Sequence, residues 1–140
     1  MSLEVIVYIL TALAAVVVVL TRLRLAQDKA AGKIQVGRGL VNVHTVAGAL
    51  ALVLWVLFLV ADEETVLGGE LVGIIALACW WVVVVAGLLI LVRWLPSRGR
   101  HASGGQEDSW SEGPGLSVLA HVGMLVGVCV FTYAYLTSAV

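Results

Sequence analysis

The chain has 140 residues, of which 61% are hydrophobic and only 12% are charged, and its formal net charge is −1. Soluble domains carry about 25% charged residues, so this composition excludes an ordinary soluble domain and indicates a protein embedded in a lipid bilayer. No nucleic-acid partner is expected from a chain with so few basic residues.

Four apolar segments are long enough to cross a bilayer as helices, which takes about 20 residues each. They cover about residues 3–21, 40–61, 71–93 and 116–139. The strict alternation of a β-barrel is absent, so the expected fold is all-α, an integral membrane four-helix bundle forming a single transmembrane domain. The first segment lacks a basic leader and a small-residue cleavage site, so we expect it to be retained. Residues 96–115 are rich in Ser, Gly and charge and are predicted to form a flexible cytoplasmic loop.

The charged residues divide between the two ends of the bundle. Every Lys and Arg follows the first or the third predicted helix: Arg22, Arg24, Lys29, Lys33, Arg38, Arg93, Arg98 and Arg100. The turn between the second and third helices carries only acids: Asp62, Glu63, Glu64 and Glu70. The positive-inside rule therefore predicts a multi-pass plasma-membrane protein whose basic loops are cytoplasmic and whose termini are both extracytoplasmic.

Two of the three histidines fall inside predicted spans at the same depth. His44 lies four residues into the second helix and His121 five residues into the fourth, or roughly 6 Å and 7.5 Å at 1.5 Å per residue. Both helices enter from the cytoplasmic side, so the two imidazoles occupy one level of the inner leaflet. Intramembrane ionisable residues are costly and are usually functional, whereas His101, in the predicted loop, is expected to be solvated.

Small residues accompany His44 along its helix face. Positions three, four and seven residues on are Ala47, Gly48 and Ala51, which would leave room for a flat ring such as a porphyrin. Neutral imidazole is a good iron ligand, and its second nitrogen would need an acceptor: a backbone carbonyl, Thr45 or a water. At the cytoplasmic interface, the candidate donors to the haem propionates are Arg38, Lys33 and Arg93, with Arg38 nearest in sequence to the ligand helix.

This pattern resembles small four-helix b-type cytochromes and the cytochrome b subunits of membrane oxidoreductases. "NVHTVAG" on the second helix and "LAHVGML" on the fourth match the places of the haem-ligating histidines in that family. The resemblance implies one haem b, with His44 and His121 as axial iron ligands. The two-haem version of the family repeats each histidine thirteen or fourteen residues along the helix. Here those positions hold Leu57, Phe58, Ala134 and Tyr135, so a second haem is not expected.

Other interpretations of the two histidines remain open. They would also fit a quinone or proton site, or plain hydrogen bonding between helices. Met124, one turn from His121, is an alternative axial ligand, although a methionine in a span usually packs. Zinc or copper is disfavoured because no further ligands converge at that level.

Three further features concern packing. Cys79 and Cys129 lie at comparable depth, where free thiols are expected more than a disulfide. Of the adjacent Trp80 and Trp81, at most one can face the bundle interior, because neighbouring helix positions point about 100° apart. The glycine pairs Gly69–Gly73 and Gly123–Gly127 permit close helix approach, with the second pair roughly opposite His121.

The expected function is electron relay through one haem held between the second and fourth helices. The haem would pass electrons between the quinone pool and a partner redox protein. A homo-oligomer is a further candidate assembly. Bis-histidine ligation leaves no open iron position, and no nucleophile or catalytic carboxylate pair is evident, so an independent enzyme is disfavoured. The alternative is a cofactor-free accessory or assembly subunit of a larger membrane complex. A small transporter is a third class, but it lacks buried acids and broken helices at the midplane.

Overall fold

The computed structural model describes residues 1–30, 38–98 and 114–140. Within these ranges the chain is all-α, with four helices: α1 (Leu3–Ala30), α2 (Arg38–Val60), α3 (Glu70–Arg98) and α4 (Pro114–Leu136). Each contains a segment long and apolar enough to span a membrane: Leu3–Leu20, Gly39–Val60, Glu70–Val92 and Val118–Leu136. By helix length and hydropathy this is a multi-pass membrane protein, as the sequence predicts, and a lipid bilayer is the environment that these helices match.

The four helices pack in a closed ring. Each contacts its neighbour in the chain, with the most extensive pairing between α2 and α3, and α1 packs against α4. Helices α2 and α4 therefore lie diagonally across the bundle, with α3 between them on one side and α1 on the other. The outward faces of all four helices carry exposed apolar side chains, mostly Val, Leu and Ile, which suits lipid-facing surfaces.

Several helix ends differ from the predicted ones. Helix α1 continues to Ala30 rather than ending near residue 21, and α3 continues through Pro96 to Arg98. Hydropathy marks where the apolar part of a helix ends, whereas the hydrogen-bonded helix can extend into water, and the fixed φ of proline is itself helical. Of the predicted loop over 96–115, residues 96–98 and 114–115 are thus helical, and residues 99–113 lie outside the described part of the chain.

Helix α4 begins and ends at recognisable caps. Pro114 occupies its first turn, where the missing proline N–H costs no hydrogen bond. At the other end Ser138 adopts a left-handed φ of 51°. The Ala139 N–H donates to the Ala134 carbonyl at 2.9 Å and the Ser138 N–H to that of Tyr135 at 3.1 Å. This is the Schellman pattern, and it ends α4 at Leu136 instead of near residue 139.

The turn between α2 and α3 is tight and contains the acids. The Thr65 hydroxyl donates to the Asp62 carbonyl at 2.7 Å and accepts from the Gly68 N–H at 3.2 Å. A Cβ on Gly68 would collide with the backbone carbonyls of Ala61 and Asp62, so only glycine allows this approach. We call this end of the bundle the acidic end, and the opposite end, which carries His44 and His121, the histidine end.

Large rings fill the acidic half of the interior. Trp55, Trp80 and Phe131 are at most 1% exposed, and Phe131 packs 5.0 Å from Trp55 and 5.7 Å from Trp80, measured between ring centroids. Helix α1 joins this core through Val7, Thr11 and Ala14, which share one face. Trp80 is buried while the adjacent Trp81 is 37% exposed, so the prediction that at most one of them faces the interior is confirmed.

The histidine half is packed differently. In α1, none of the described side chains beyond Ala14 is buried, and Val16, Val19, Leu20 and Leu23 are all more than half exposed. The buried residues that α3 contributes at this level are aliphatic, among them Val83, Val84 and Leu91. Among the described residues the interior therefore changes along the bundle, from an aromatic core at the acidic end to an aliphatic one at the histidine end.

Candidate functional site

The imidazoles of His44 and His121 meet across the diagonal of the bundle. Their ring centroids lie 6.3 Å apart and their planes are inclined by 27°. His44 extends from α2 and His121 from α4, and both side chains are only partly buried. The matched depth inferred from the loop charges therefore corresponds to a real juxtaposition of the two rings.

The backbone of α3 fixes the orientation of the His44 ring. His44 Nδ1 lies 3.1 Å from the carbonyl oxygen of Val83. A carbonyl can only accept, so Nδ1 carries the proton and donates, which leaves the lone pair on Nε2. Hydrogen bonding of the second nitrogen is the usual way in which proteins orient a histidine ligand. Of the acceptors considered from the sequence, the structure thus has a helix carbonyl, supplied by the neighbouring helix α3.

Gly87 of α3 lies against both imidazoles, and sequence reasoning missed it. A Cβ built on Gly87 would be 2.8 Å from Cδ2 and 3.2 Å from Nε2 of His121, and 3.1 Å from Cε1 of His44. Real Cβ atoms essentially never approach another atom within 3.0 Å, so any side chain here would displace a ring. One signal was available: Gly87 is an isolated glycine in the bulky run "WWVVVVAGLLILV", which is typical of a close approach between elements.

The hydrogen-bond acceptor of the site lies one helical turn before Gly87. In an α-helix the carbonyl of residue i accepts from the N–H of residue i+4, so the Val83 carbonyl points toward residue 87. Helix α3 therefore provides both the space beside the two rings and, one turn away, the oxygen that orients His44.

The small residues that follow His44 on its helix face, Ala47, Gly48 and Ala51, lie mainly against α3. Ala47 and Ala51 are buried, and a Cβ on Gly48 would lie 3.7 Å from a methyl group of Val83, an ordinary contact distance. They bring α2 close to α3, which is what places the Val83 carbonyl within reach of His44. An apolar groove of about 630 Å³ runs along the outside of this helix pair, and Ala47 contributes to its lining.

The remaining predicted residues divide by what the structure describes. Arg38 begins α2 and Arg93 lies in the last part of α3, both at the histidine end, but their side chains are not among those described. Lys33 and His101 lie outside the described residues.

Met124 packs against the hydrophobic core. Cys79 and Cys129 are free thiols, the first half-buried and the second exposed. A Cβ on Gly123 or Gly127 would meet nothing within 4 Å, so neither position needs glycine for a close approach to a described helix.

Two imidazoles as the protein ligands suit a metal ion whose remaining ligands belong to a bound cofactor. The centroid separation of 6.3 Å is compatible with one metal ion held by a nitrogen of each ring at the usual bond length of about 2.1 Å. No group of three or more His, Cys, Asp or Glu residues converges within the described ranges. Structural zinc takes four protein ligands, whereas an iron porphyrin takes only two.

The aromatic side chains that fill the interior stop at Trp80, about one helical turn short of Val83. The rings of His44 and His121 therefore lie beyond the aromatic core, at the level where α3 contributes aliphatic side chains.

The chain matches no family model, no characterised relative and no solved structure. The interpretation of the site therefore depends on its own geometry.

Proposed function

We propose that the chain is a membrane b-type cytochrome that would hold one haem b between α2 and α4 through the imidazoles of His44 and His121. It relays electrons, with the quinone pool and a partner redox protein as the two sides of the exchange. The haem would supply the one-electron chemistry, while the chain sets ligation, burial and orientation.

The observation that carries the proposal is the 6.3 Å separation of the two imidazole centroids across the bundle diagonal. The two rings come from helices that lie diagonally across the bundle, and α3 holds the His44 ring by a backbone carbonyl. Such outside support of a ring is the usual arrangement around metal-ligating histidines.

Each group of the chain has a separate task in this site. His44 offers Nε2 because its Nδ1–H is bound to Val83, and the Nε2 edge of His121 faces the same glycine. Gly87 keeps the region beside the rings free of side-chain atoms. Two imidazole ligands leave no open position on the iron, so the site favours electron transfer over oxygen activation.

Loop charges support a proposed orientation. With the basic segments on the cytoplasmic side, the histidine end faces the cytoplasm and both termini are extracytoplasmic, in the plasma membrane. Arg38, Lys33 and Arg93 are the nearest basic residues in sequence to this end, and they are the proposed partners of the haem propionates.

The test is the visible spectrum of the protein purified in mild detergent from cells supplied with excess haem precursor. We expect a low-spin b-type spectrum, with haem and chain in a 1:1 ratio. His44→Ala and His121→Ala should each reduce the low-spin signal to background, because each removes one of the only two protein ligands. His101→Ala, which changes a histidine outside the spans, should leave the spectrum unchanged.

Circular dichroism and size-exclusion profiles of each variant control for folding. A wild-type protein that is helical, monodisperse and colourless would contradict the haem proposal. It would favour the cofactor-free accessory subunit, in which the two rings only pack. A coloured wild type that keeps its low-spin spectrum in His44→Ala would show that the haem is ligated elsewhere.

A further inference from the structure

The apolar groove on the outside of α2 and α3 follows one face of each helix. On α2 its lining residues recur at steps of three and four from Asn42 to Leu50, and on α3 they recur at the same steps from Ile74 to Val82. These steps are the spacing of a single α-helical face. The volume of about 630 Å³ is within the roughly 300–1,000 Å³ that is usual for ligand sites.

The same two faces lead to basic residues at the histidine end. On α3, Arg93 lies eleven residues beyond Val82, or about three turns, and so continues the groove face. On α2, Arg38 lies one turn before the exposed Asn42. Gly39, between them, is open, because a Cβ there would meet nothing within 4 Å.

Helices α2 and α3 run antiparallel in a constant register. A Cβ on Gly48 would lie 3.7 Å from Cγ2 of Val83, so these two positions face each other. Ten residues toward the acidic end on each helix, a Cβ on Gly73 would lie 3.0 Å from Cε2 of Phe58. The pairing of the two helices is therefore kept over this length.

This register places the two arginines at one level. Ten residues toward the histidine end from Gly48 and Val83 are Arg38 and Arg93. The apolar spans begin at Gly39 on α2 and end at Val92 on α3, so each arginine is the first residue outside its span. They therefore lie where the groove reaches the membrane surface.

The two ends of the groove differ in charge. Arg38 and Arg93 continue it at the histidine end, whereas Glu70 lies one turn before Ile74 at the acidic end. Arginine forms strong, often bidentate hydrogen bonds with phosphate, and basic positions between transmembrane helices are a usual location of anionic lipid headgroups. A ligand with one apolar chain and one phosphate is thus complementary to the groove in one orientation only.

We propose that the groove binds one anionic phospholipid, with its phosphate at the level of Arg38 and Arg93 and an acyl chain along Val46 and Leu50. The Asn42 amide, at the mouth of the groove, is a further donor to the headgroup. This inference does not rest on the proposed function, because the groove lies on the outside of α2 and α3.

The first test is native mass spectrometry of the protein in detergent micelles, titrated with phosphatidylglycerol or with phosphatidylcholine of the same acyl chains. We expect each chain to retain one phosphatidylglycerol and to retain the zwitterionic lipid much less. Arg93→Gln should weaken phosphatidylglycerol binding about fivefold, which corresponds to the about 1 kcal/mol contributed by one basic residue at a membrane surface.

Arg24→Gln is the matched control, because it removes the same charge at the same end of the bundle but from α1. It should bind phosphatidylglycerol as the wild type does. Equal retention of the two lipids, or an equal loss in Arg24→Gln and Arg93→Gln, would overturn the proposal.

A second pair of variants tests the groove itself. Ala78 lines the groove and is exposed, whereas Ala49 of α2 is exposed outside the lining. Ala78→Phe should reduce phosphatidylglycerol retention, because the new ring occupies the place of the acyl chain, and Ala49→Phe should not. Circular dichroism confirms the fold of both. Unchanged retention in folded Ala78→Phe would contradict binding in the groove.

The native cysteines show which face the lipid covers. Cys79 is half-buried and lines the groove, whereas Cys129 is exposed on α4. Phosphatidylglycerol should slow the alkylation of Cys79 by N-ethylmaleimide and leave that of Cys129 unchanged, as measured by peptide mass. If Cys79 is unprotected at saturating lipid, the lipid binds elsewhere. If the protein is dimeric and Cys79 is protected without lipid, a second copy covers the groove; either result overturns the proposal.

Haem content, measured on the same samples, separates this inference from the proposed function. Retained phosphatidylglycerol in a wild type without haem would remove the proposed function and support the lipid site. Loss of haem with full lipid binding in Arg93→Gln would overturn the lipid site and support the propionate role of that residue. Loss of lipid with full haem content would support the lipid site and leave the cytochrome intact.

Discussion

At the scale of single residues, the site depends on what one position lacks. Gly87 has no side chain, and this absence lets the rings of His44 and His121 approach α3. A histidine in an apolar helix is visible in a sequence, whereas the residue that makes room for it belongs to another helix. The two histidines could therefore be predicted from depth. The isolated glycine of α3 is visible in the sequence as well, but the sequence does not show which rings it accommodates.

Gly87→Ala is expected to weaken binding of the proposed haem by about 10–100-fold, the usual effect of disturbing the groups that orient metal ligands. The added Cβ would lie within 3.1 Å of both imidazoles, so at least one ring must rotate away. Haem titration of the cofactor-free protein, followed by absorbance, gives the affinity. Gly123→Ala serves as the control for replacing a glycine in a spanning helix. Equal haem affinity in Gly87→Ala and the wild type would show that α3 does not constrain the two rings.

At the scale of helices, apolar length predicted the four elements, but caps and side-chain contacts determined their ends and neighbours. The segments that hydropathy identified are all helical. The end of α4 is set by the left-handed backbone of Ser138. Glycine usually occupies such a position, so the serine gave no sign in the sequence that the helix ends there. Likewise, α1 packs against the core through Val7, Thr11 and Ala14, in a helix whose faces are all apolar, so periodicity could not indicate which face is inward.

The two fully buried tryptophans provide a matched test of how α1 is attached. Trp55 of α2 donates its indole N–H to the Thr11 hydroxyl of α1 at 3.2 Å, whereas Trp80 Nε1 has no hydrogen-bond partner within the described residues. Trp55→Phe removes a bond between helices, while Trp80→Phe removes an unsatisfied buried donor. We therefore expect Trp55→Phe to lower the free energy of unfolding by about 1–3 kcal/mol more than Trp80→Phe.

Unfolding in mixed detergent micelles, followed by circular dichroism, measures both free energies. In a Thr11→Ala background the difference between the two tryptophan variants should shrink, since the bond is already absent. An equal or larger loss in Trp80→Phe would contradict the assignment of the Trp55–Thr11 bond as a stabilising contact between α1 and α2.

At the scale of the whole molecule, the charges predict orientation. Both basic segments lie at the histidine end and the four acids of the α2–α3 turn lie at the other. In intact cells, a cysteine placed at Glu63 should react with a membrane-impermeant maleimide, and one placed at Lys33 should react only after permeabilisation. Cys79 and Cys129 are first replaced by alanine so that the introduced thiol alone is labelled. If only the cysteine at the Lys33 position reacted in intact cells, the predicted orientation would be wrong.

The different composition of the two halves has a consequence for local motions. The acidic half holds the interlocked rings of Trp55, Trp80 and Phe131, whereas the histidine half holds aliphatic side chains around two partly buried imidazoles. Local opening starts where buried contacts are fewest, so backbone amides beside the three large rings should exchange with deuterium more slowly than those beside His44 and His121.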